Sequence, residues 1–353
     1  MSSFILPIHP FQISLFQKGV DLTTLNSFNR SALHNAVIGG QLSIAQFLLQ
    51  DPRMVEMINA PDVDGNTCVH LAALHGNLEM MALFIEHGAD FEKPNKNGGL
   101  YPVHLAAQRG HWDLIKLLHR HHIRLDQKCV DNEKTAIHYA AEVGADEVVK
   151  GLVTMNAVDV ADIDANGNLA THSAAMGNKL SVLKYLTEQG IRVDQISNYL
   201  GRYPIHYAAA SNGVTVLHWI LDNTIPEHAN LQDHEGNTPA HMAGLYGAAV
   251  AFNCLKAHGC NLDIVNNKNE TPKDVARRCG HPFLIEKACE LFFIFIFAFC
   301  YFPCSLPSEK RNRMSRMQEG EKTARMAKRA SHSRCYAKNS CRSDAVVSKE
   351  RDK

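Results

Sequence analysis

The stretch TCVHLAALHGN, residues 67–77, places a histidine inside a short run of small and apolar residues that ends at a glycine. The same arrangement occurs seven times, and the histidines are His34, His70, His104, His138, His172, His206 and His241. Successive histidines are 34 to 36 residues apart. The chain therefore consists largely of a repeated unit of about 34 residues.

Two further positions recur in phase with the histidine. Six residues after it the chain has Gly40, Gly76, Gly110, Gly144, Asn178, Asn212 and Gly247. Five residues before it the chain has Asn29, Gly65, Gly99, Gly167, Gly201 and Gly236. Gly and Asn accept a positive φ at little cost, so these positions predict a left-handed helix end and a tight loop turn in each unit. Glu133 breaks the second pattern, and we expect its loop to be strained or differently shaped.

An eighth unit, TPKDVARRCG (residues 271–280), keeps the pattern with Asp274 in place of the histidine. The period and the T-P-x-H-x-A core of the units resemble the ankyrin-repeat family over residues 22–290. The resemblance implies an all-α repeat solenoid, in which each unit contributes a helix-turn-helix and a β-hairpin. One helix pair cannot cover its own apolar face, so neighbouring units stack and share a core.

The recurring histidine is interpreted as structural. In the ankyrin family this residue bonds to backbone at the base of the hairpin and ties neighbouring units together. A catalytic histidine would stand once beside particular partners, whereas this one recurs without a companion nucleophile. Common nucleotide-binding and hydrolase motifs are also missing, so we expect no catalytic residues and no cofactor.

The residue three positions before the histidine is expected to cap the first helix. Ser31, Thr67, Thr135, Thr238 and, in the eighth unit, Thr271 carry a hydroxyl that can accept an orphan N–H there. Tyr101, Leu169 and Tyr203 depart from this pattern, which puts hydroxyl capping in doubt in three units.

The run HRHH, residues 119–122, is a second histidine feature. Two of its histidines share a helix face and could ligate a metal, but cationic residues also suit a helix end. No cysteine or carboxylate completes the set nearby, so we interpret the run as a solvated helix end and expect no metal. The ten cysteines contain no C-x-x-C pair and indicate free thiols in a reducing compartment.

Ankyrin partners usually lie along a concave face formed by hairpin tips and first-helix residues. Counted from the histidine, the tips are positions −7, −6 and −4, and the helix positions are +4 and +5. Tyr, Arg and exposed Leu are favoured anchors in protein interfaces. On this basis the predicted partner-binding residues are Leu74, His75, Leu100, Arg109, Tyr199, Leu200, Arg202, Leu245 and Tyr246.

The two ends of the chain differ from the repeats. Residues 1–21 are an N-terminal segment that could include a degenerate half-repeat. Residues 291–307 contain twelve uninterrupted apolar residues, too few to span a bilayer alone. This segment could extend the last helix, contact a membrane surface or be an aberrant terminus. The tail at 308–353 has 14 Lys and Arg against 6 Asp and Glu, so its net charge of +8 faces −8 elsewhere.

The ankyrin resemblance implies a scaffold that binds another protein, and with the missing catalytic motifs and the free thiols we expect it to be non-catalytic, monomeric and cytoplasmic. The basic tail, expected to be disordered, suggests weak contact with anionic lipid or nucleic acid and allows a nuclear location. The alternative is a cytosolic ankyrin portion of a larger membrane protein, acyltransferase or ubiquitin-ligase adaptor. An enzyme in its own right lacks any supporting motif.

Overall fold

The structure, a computed structural model, describes residues 21–282. This range contains 16 α-helices and two short 3-10 helices, and no β-strand occurs within it. The predictions for the N-terminal segment, for the apolar segment at 291–307 and for the basic tail lie outside the described residues. The expected end of the repeat array at residue 290 also lies outside them, and its expected start at residue 22 remains a prediction.

Eight helices begin at the recurring motif, one in each unit, and we call them the first helices. They are α1 (Ala32–Ile38), α4 (Cys68–His75), α6 (Pro102–Gln108), α8 (Ala136–Val143), α10 (Ala170–Met176), α12 (Pro204–Ala210), α14 (Pro239–Tyr246) and α16 (Pro272–Arg278). Each of the first seven packs on the first helix of the next unit. Pairs of small residues such as Ala106 and Ala107 are fully buried between them. Small side chains at the contact let neighbouring helices approach closely.

Seven units also have a second helix within the described range. These helices are α2 (Leu42–Leu48), α5 (Leu78–Glu86), α7 (Trp112–Arg120), α9 (Asp146–Thr154), α11 (Leu180–Glu188), α13 (Val214–Asn223) and α15 (Ala249–Ala257). In the six from α5 onward, buried residues recur at i, i+1 and i+4, as with Leu114, Ile115 and Leu118 in α7. This spacing places one apolar stripe against the first helices.

Two irregularities in the period correspond to extra structure. The 36-residue interval between the first two histidines holds an additional helix, α3 (Pro52–Glu56), followed by the 3-10 turn Met57–Asn59. The 35-residue interval before His241 holds the 3-10 helix Pro226–Asn230. The added residues are accommodated after the second helix, where they leave the stacked helices in register.

The predicted left-handed turns are confirmed. After the first helices, φ is +63° at Gly40, +68° at Gly76 and +55° at Asn178. In the loops, Gly65 has φ +78°, and Glu133 has φ +55° despite its side chain. Glu133 therefore takes up the same strained conformation that Gly or Asn supplies in the other units.

The loops that were predicted as β-hairpins are tight turns in the structure. In the second unit, the N–H of Asp62 donates to Asn66 O at 2.9 Å, and Gly65 N donates to Asp62 O at 2.9 Å. In the fourth unit the corresponding closure runs from Cys129 N to Lys134 O at 3.0 Å, one residue wider. The third unit has the same wider closure, from Asn95 N to Leu100 O at 2.9 Å, so loop width does not set the Glu133 loop apart. No ladder long enough to form a strand develops in the described loops.

Hydrogen bonds join each loop to the loop of the preceding unit. At every junction one backbone N–H donates to a carbonyl of the previous tip. The pairs are Val63 to Phe28 (3.1 Å), Lys96 to Asp64 (2.9 Å), Val130 to Gly99 (3.1 Å), Ala165 to Asn132 (2.9 Å), Tyr199 to Asn166 (3.0 Å), His234 to Leu200 (2.9 Å) and Asn267 to Glu235 (2.9 Å). The row of loop tips is consequently connected along all eight units.

Candidate protein-interaction face

The recurring histidines hold neighbouring units together. In each of the seven, Nδ1 accepts the backbone N–H of the residue three positions earlier, and Nε2 lies close to a carbonyl oxygen of the next unit. The Nε2–oxygen distances are 3.0 Å to Ala60 from His34, 3.0 Å to Leu100 from His70, 2.8 Å to Gln127 from His104, 2.9 Å to Asn168 from His138, 3.1 Å to Arg202 from His172, 3.1 Å to Leu231 from His206 and 2.9 Å to Glu270 from His241.

This environment requires a neutral imidazole with its proton on Nε2. Nδ1 accepts an N–H, so only Nε2 can donate to the carbonyl. Burial also lowers the pKa of His70, His104, His172 and His206 to about 4, because the charged form loses its hydration. The histidines are therefore structural donors, as the sequence predicted, and are shut off from solvent.

A side-chain hydroxyl also contacts the histidine Nδ1 in the units that have Ser or Thr three residues before the histidine. Thr67 and Thr135 place Oγ1 2.9 and 3.0 Å from the histidine Nδ1. Where Tyr101, Leu169 or Tyr203 stands instead, Nδ1 receives only the backbone N–H, at 3.1 Å in each case. As the sequence suggested, no side-chain hydroxyl takes part at the helix start in those three units.

Asp274 reproduces one half of the histidine's role. Its Oδ2 accepts the N–H of Thr271 at 3.1 Å and the Thr271 hydroxyl at 2.6 Å. These hydrogen bonds, followed by the charge of Arg277, hold the pKa of Asp274 below its usual value. An ionised carboxylate has no hydrogen to donate onward, so the series of histidine bonds to a following unit ends at the seventh unit.

The loop tips and first-helix ends form a surface that we call the loop–helix face, comprising positions −7, −6, −4, +4 and +5 of the units. The predicted binding residues lie on it with different exposure. Tyr199, Leu200 and Tyr246 are 63%, 46% and 50% exposed. His75 and Arg109 are also exposed, whereas Leu74, Leu100 and Leu245 are half-buried. Among the predicted residues, the exposed aromatic and aliphatic side chains are therefore those of the sixth and seventh units.

The same face carries exposed apolar residues that the sequence analysis did not select. On the loop tips these are Phe28 and Val63, and at the first-helix ends they are Ile38, Val143 and Met176. Their positions relative to the histidine could have revealed them. Phe28 in particular combines an exposed aromatic ring with Arg30 at position −4 of the same unit, 5.6 Å from the ring centroid.

Arg202 has a structural role in addition to its position on the face. Its Nε donates to Asp233 Oδ2 at 3.0 Å, and the Asp233 side chain is fully buried. Arg30 makes the equivalent contact with Asp62, also at 3.0 Å. An ion pair between position −4 of one unit and position −8 of the next therefore occurs twice, and it joins neighbouring loops.

A groove lies between the seventh and eighth units on this face. It encloses about 260 Å³ and is lined in part by His234, Leu245, Lys268 and Arg278. His234 N donates to Leu200 O, so the groove adjoins the tip that carries Tyr199 and Leu200. Its lining combines apolar side chains such as Leu245 with charges of both signs, since Glu235 also borders it and Arg278 is paired with Glu270 at 2.6 Å.

The HRHH run lies away from this face, at the end of α7. His119, His121 and His122 are all exposed. His122 has φ +59°, in the position where Gly88, Asn156 and Gly259 end other second helices. The run accordingly occupies a helix terminus.

Comparison with known proteins agrees with this architecture. A family model described as ankyrin repeats (3 copies) matches residues 10–95 and 91–164, and a model described as ankyrin repeats (many copies) matches residues 171–221. Together the matches cover more than half of the chain. The fold and the repeated histidine site define a helical repeat scaffold, and the chain belongs to the ankyrin-repeat family. Members of this family are generally non-catalytic modules for protein–protein interaction.

Individual relatives match parts of the chain. Human ankyrin repeat domain-containing protein 37 is 32% identical over 100 residues, 28% of this chain and 62% of that protein. The E3 ubiquitin-protein ligase KEG of Arabidopsis thaliana is 23% identical over 150 residues, 41% of this chain and 9% of the ligase. A transient receptor potential cation channel homologue of Caenorhabditis elegans is 38% identical over 85 residues, 24% of this chain and 7% of the channel. The matches therefore span less than two thirds of these relatives.

Within residues 21–282, no helix combines the length and apolar character needed to cross a bilayer.

Proposed function

We propose that the chain is a non-catalytic scaffold that binds another protein on its loop–helix face. The binding residues would be the nine predicted from the sequence, with Tyr199, Leu200 and Tyr246 as the main anchors. Large aromatic groups supply much of the binding energy in protein interfaces because they bury wide apolar areas. The mechanism is recognition by a preformed surface, with no bond-making step.

The observation that carries this proposal is the row of exposed apolar side chains on connected loops. Tyr199 donates its backbone N–H to Asn166 O at 3.0 Å, and Leu200 O accepts His234 N at 2.9 Å. The tip that presents these two side chains is therefore held from both sides. A surface ordered before binding loses less conformational entropy when a partner docks.

Site-specific photocrosslinking tests the location of the interface. A photoreactive phenylalanine analogue would replace Tyr199, Tyr246 or the control Val250, which is 55% exposed on α15. We expect one predominant protein to crosslink from the first two positions and not from the third. Crosslinking from Val250 alone would move the interface to the second helices.

A second candidate places the array inside a larger protein, such as a membrane protein, an acyltransferase or a ubiquitin-ligase adaptor. It is favoured by the matches to a ligase and a channel, in which the matched region is a small fraction of the whole. The apparent mass of the native protein, detected with an antibody against the array, tests this candidate. A mass far above 39.2 kDa would support it.

The basic tail is proposed as an accessory element in a monomeric, cytoplasmic protein that can also enter the nucleus. Its net charge of +8 would attract anionic lipid or nucleic acid weakly, and salt would screen that attraction beyond about 8 Å at physiological strength. Liposome flotation and nucleic-acid binding of the full chain and of residues 1–307, at two salt concentrations, test this element. Equal behaviour of the two proteins would contradict it.

A further inference from the structure

Three potential metal ligands converge on the outer side of the sixth and seventh units. They are His218 on α13 and Cys254 and His258 on α15. One nitrogen of each histidine and the cysteine sulfur lie within 4.8 Å of one another. The two imidazole rings meet edge to face, with centroids 4.9 Å apart. No other cluster of this kind occurs among residues 21–282.

The distances suit a tetrahedral transition metal. Zinc binds thiolate sulfur at about 2.3 Å and imidazole nitrogen at about 2.0 Å, so its ligand atoms are roughly 3.3–3.7 Å apart. Cys254 Sγ already lies 3.8 Å from His258 Nδ1. Cys254 is buried, His258 is half-buried and His218 is exposed, so an ion can approach from solvent.

A neighbouring carboxylate supports the same role for His258. Asp222 Oδ1 lies 3.4 Å from His258 Nε2. Histidines that bind metals commonly donate their second ring N–H to a carboxylate, which fixes the tautomer and raises ligand basicity. Without metal, Nδ1–H donates to Cys254 O at 2.8 Å. With metal on Nδ1, the ring proton would lie on Nε2 and be donated to Asp222.

The repeat itself shows which of these residues are unusual. At the position of His218, twelve residues after the motif histidine, three preceding units have Lys116, Lys150 and Lys184. Histidine at the position of His258 also occurs as His87, whose Nδ1 donates to Leu83 O at 2.8 Å. That unit has leucine where the seventh has Cys254. His258 alone could therefore be an ordinary helix cap, and the coincidence with His218 and Cys254 distinguishes this junction.

We propose that His218, Cys254 and His258 form a binding site for Zn²⁺, with Asp222 as the supporting carboxylate and a fourth position open to water. Thiolate and imidazole ligands favour zinc over magnesium or calcium. The ligands come from two units, so a bound ion would clamp α13 to α15. Cys254 would lose its thiol proton to solvent on binding.

Cobalt titration of the reduced full-length protein tests this site, because Co²⁺ reports tetrahedral geometry and thiolate ligation by absorption. We expect one Co²⁺ per chain with visible d–d bands and a thiolate charge-transfer band, displaced by Zn²⁺. His218→Lys, which restores the residue of other units at an exposed position, should weaken binding at least tenfold. Asp222→Asn should weaken it about tenfold, and Cys254→Ser should remove the charge-transfer band.

Two matched variants separate this site from other thiols and histidines of the chain. His87→Ala removes the equivalent histidine of the second unit, and Cys279→Ser removes a nearby cysteine outside the cluster. Both should bind cobalt as the wild type does. Circular dichroism would confirm that His218→Lys and Asp222→Asn remain folded. Unchanged cobalt spectra and affinity in those two folded variants, or no tetrahedral cobalt in the wild type, would overturn the proposal.

Discussion

His138 links its own helix to the next unit through Asn168, 30 residues later. Its Nε2–H donates to Asn168 O at 2.9 Å, while its Nδ1 lies 3.0 Å from the Thr135 hydroxyl and 3.3 Å from the Thr135 N–H. One buried side chain thus caps a helix and bonds to the following loop. Six other units repeat this relationship, which makes the histidine the common joint of the stack.

Replacement of this joint should reduce stability without a separate effect on binding. For His138→Ala or His104→Ala we expect a loss of about 1–3 kcal/mol, because buried backbone groups lose their partner. Urea denaturation measures the loss, and the exposed His119→Ala variant serves as the control. If His138→Ala or His104→Ala kept the wild-type stability in urea and yet no longer bound the partner, the histidine would be a recognition residue.

Acid should destabilise the array well above the pH at which carboxylates titrate. The folded pKa of His70, His104, His172 and His206 is about 4, below the ordinary 6.5, so unfolding takes up protons. Stability is then complete above pH 6.5 and is lost as pH falls from there towards 4. At pH 5 each such histidine should cost about 2 kcal/mol.

Urea midpoints between pH 7.5 and pH 5 test this dependence. The midpoint should fall steadily over that interval. The His104→Asn variant lacks one protonation site and should show a shallower fall. A midpoint that stayed constant down to pH 5 would mean that the buried histidines do not control acid stability.

Relief of backbone strain at Glu133 should stabilise the fourth unit. A left-handed conformation costs a non-glycine residue roughly 1–2 kcal/mol, and the greater chain entropy of glycine offsets part of the gain. Glu133→Gly is therefore expected to raise stability by about 0.5–1 kcal/mol. Glu79→Gly in the helix α5 should lower it. Destabilisation by both changes would show that the Glu133 side chain makes a contact worth more than the strain.

Gly151 should tolerate no side chain. A Cβ added there overlaps the indole of Trp112 on the neighbouring second helix. Gly151→Ala should cost about 1–3 kcal/mol by overpacking, and less in a Trp112→Leu background. Gly39→Ala is the control, because φ is −78° there and the nearest atom to its Cβ lies at 3.3 Å. Equal costs at the two glycines would contradict this packing.

The regular features of the fold were predictable because they repeat. The phase of His34 to His241 located the first helices, and the Gly and Asn positions located the left-handed turns. Glu133 was predicted to differ, and its φ of +55° is strained for its residue type, whereas its wider loop is shared with the third unit. The helix α3 was missed because it lies in the one interval that is two residues longer than the usual period.

Contacts that join different positions of neighbouring units were harder to predict from the sequence. The Arg202–Asp233 ion pair and the Gly151–Trp112 contact join residues 31 and 39 positions apart. The His218, Cys254 and His258 cluster is similar, since His218 lies 36 residues before Cys254. A search for metal ligands at short spacings directs attention to HRHH instead. Only the stacking of units brings the separated positions together.

The affinity of the principal partner for interface variants tests the central claim most directly. The full chain would be compared with Tyr199→Ala/Tyr246→Ala and with Val250→Ala by isothermal titration calorimetry, after circular dichroism confirms that each is folded. Loss of one anchor commonly costs more than about 1 kcal/mol, so the double variant should bind at least tenfold more weakly. Val250→Ala should bind within about twofold of the wild type, as expected for a residue outside the interface. Wild-type affinity in the folded double variant would contradict recognition through the loop–helix face.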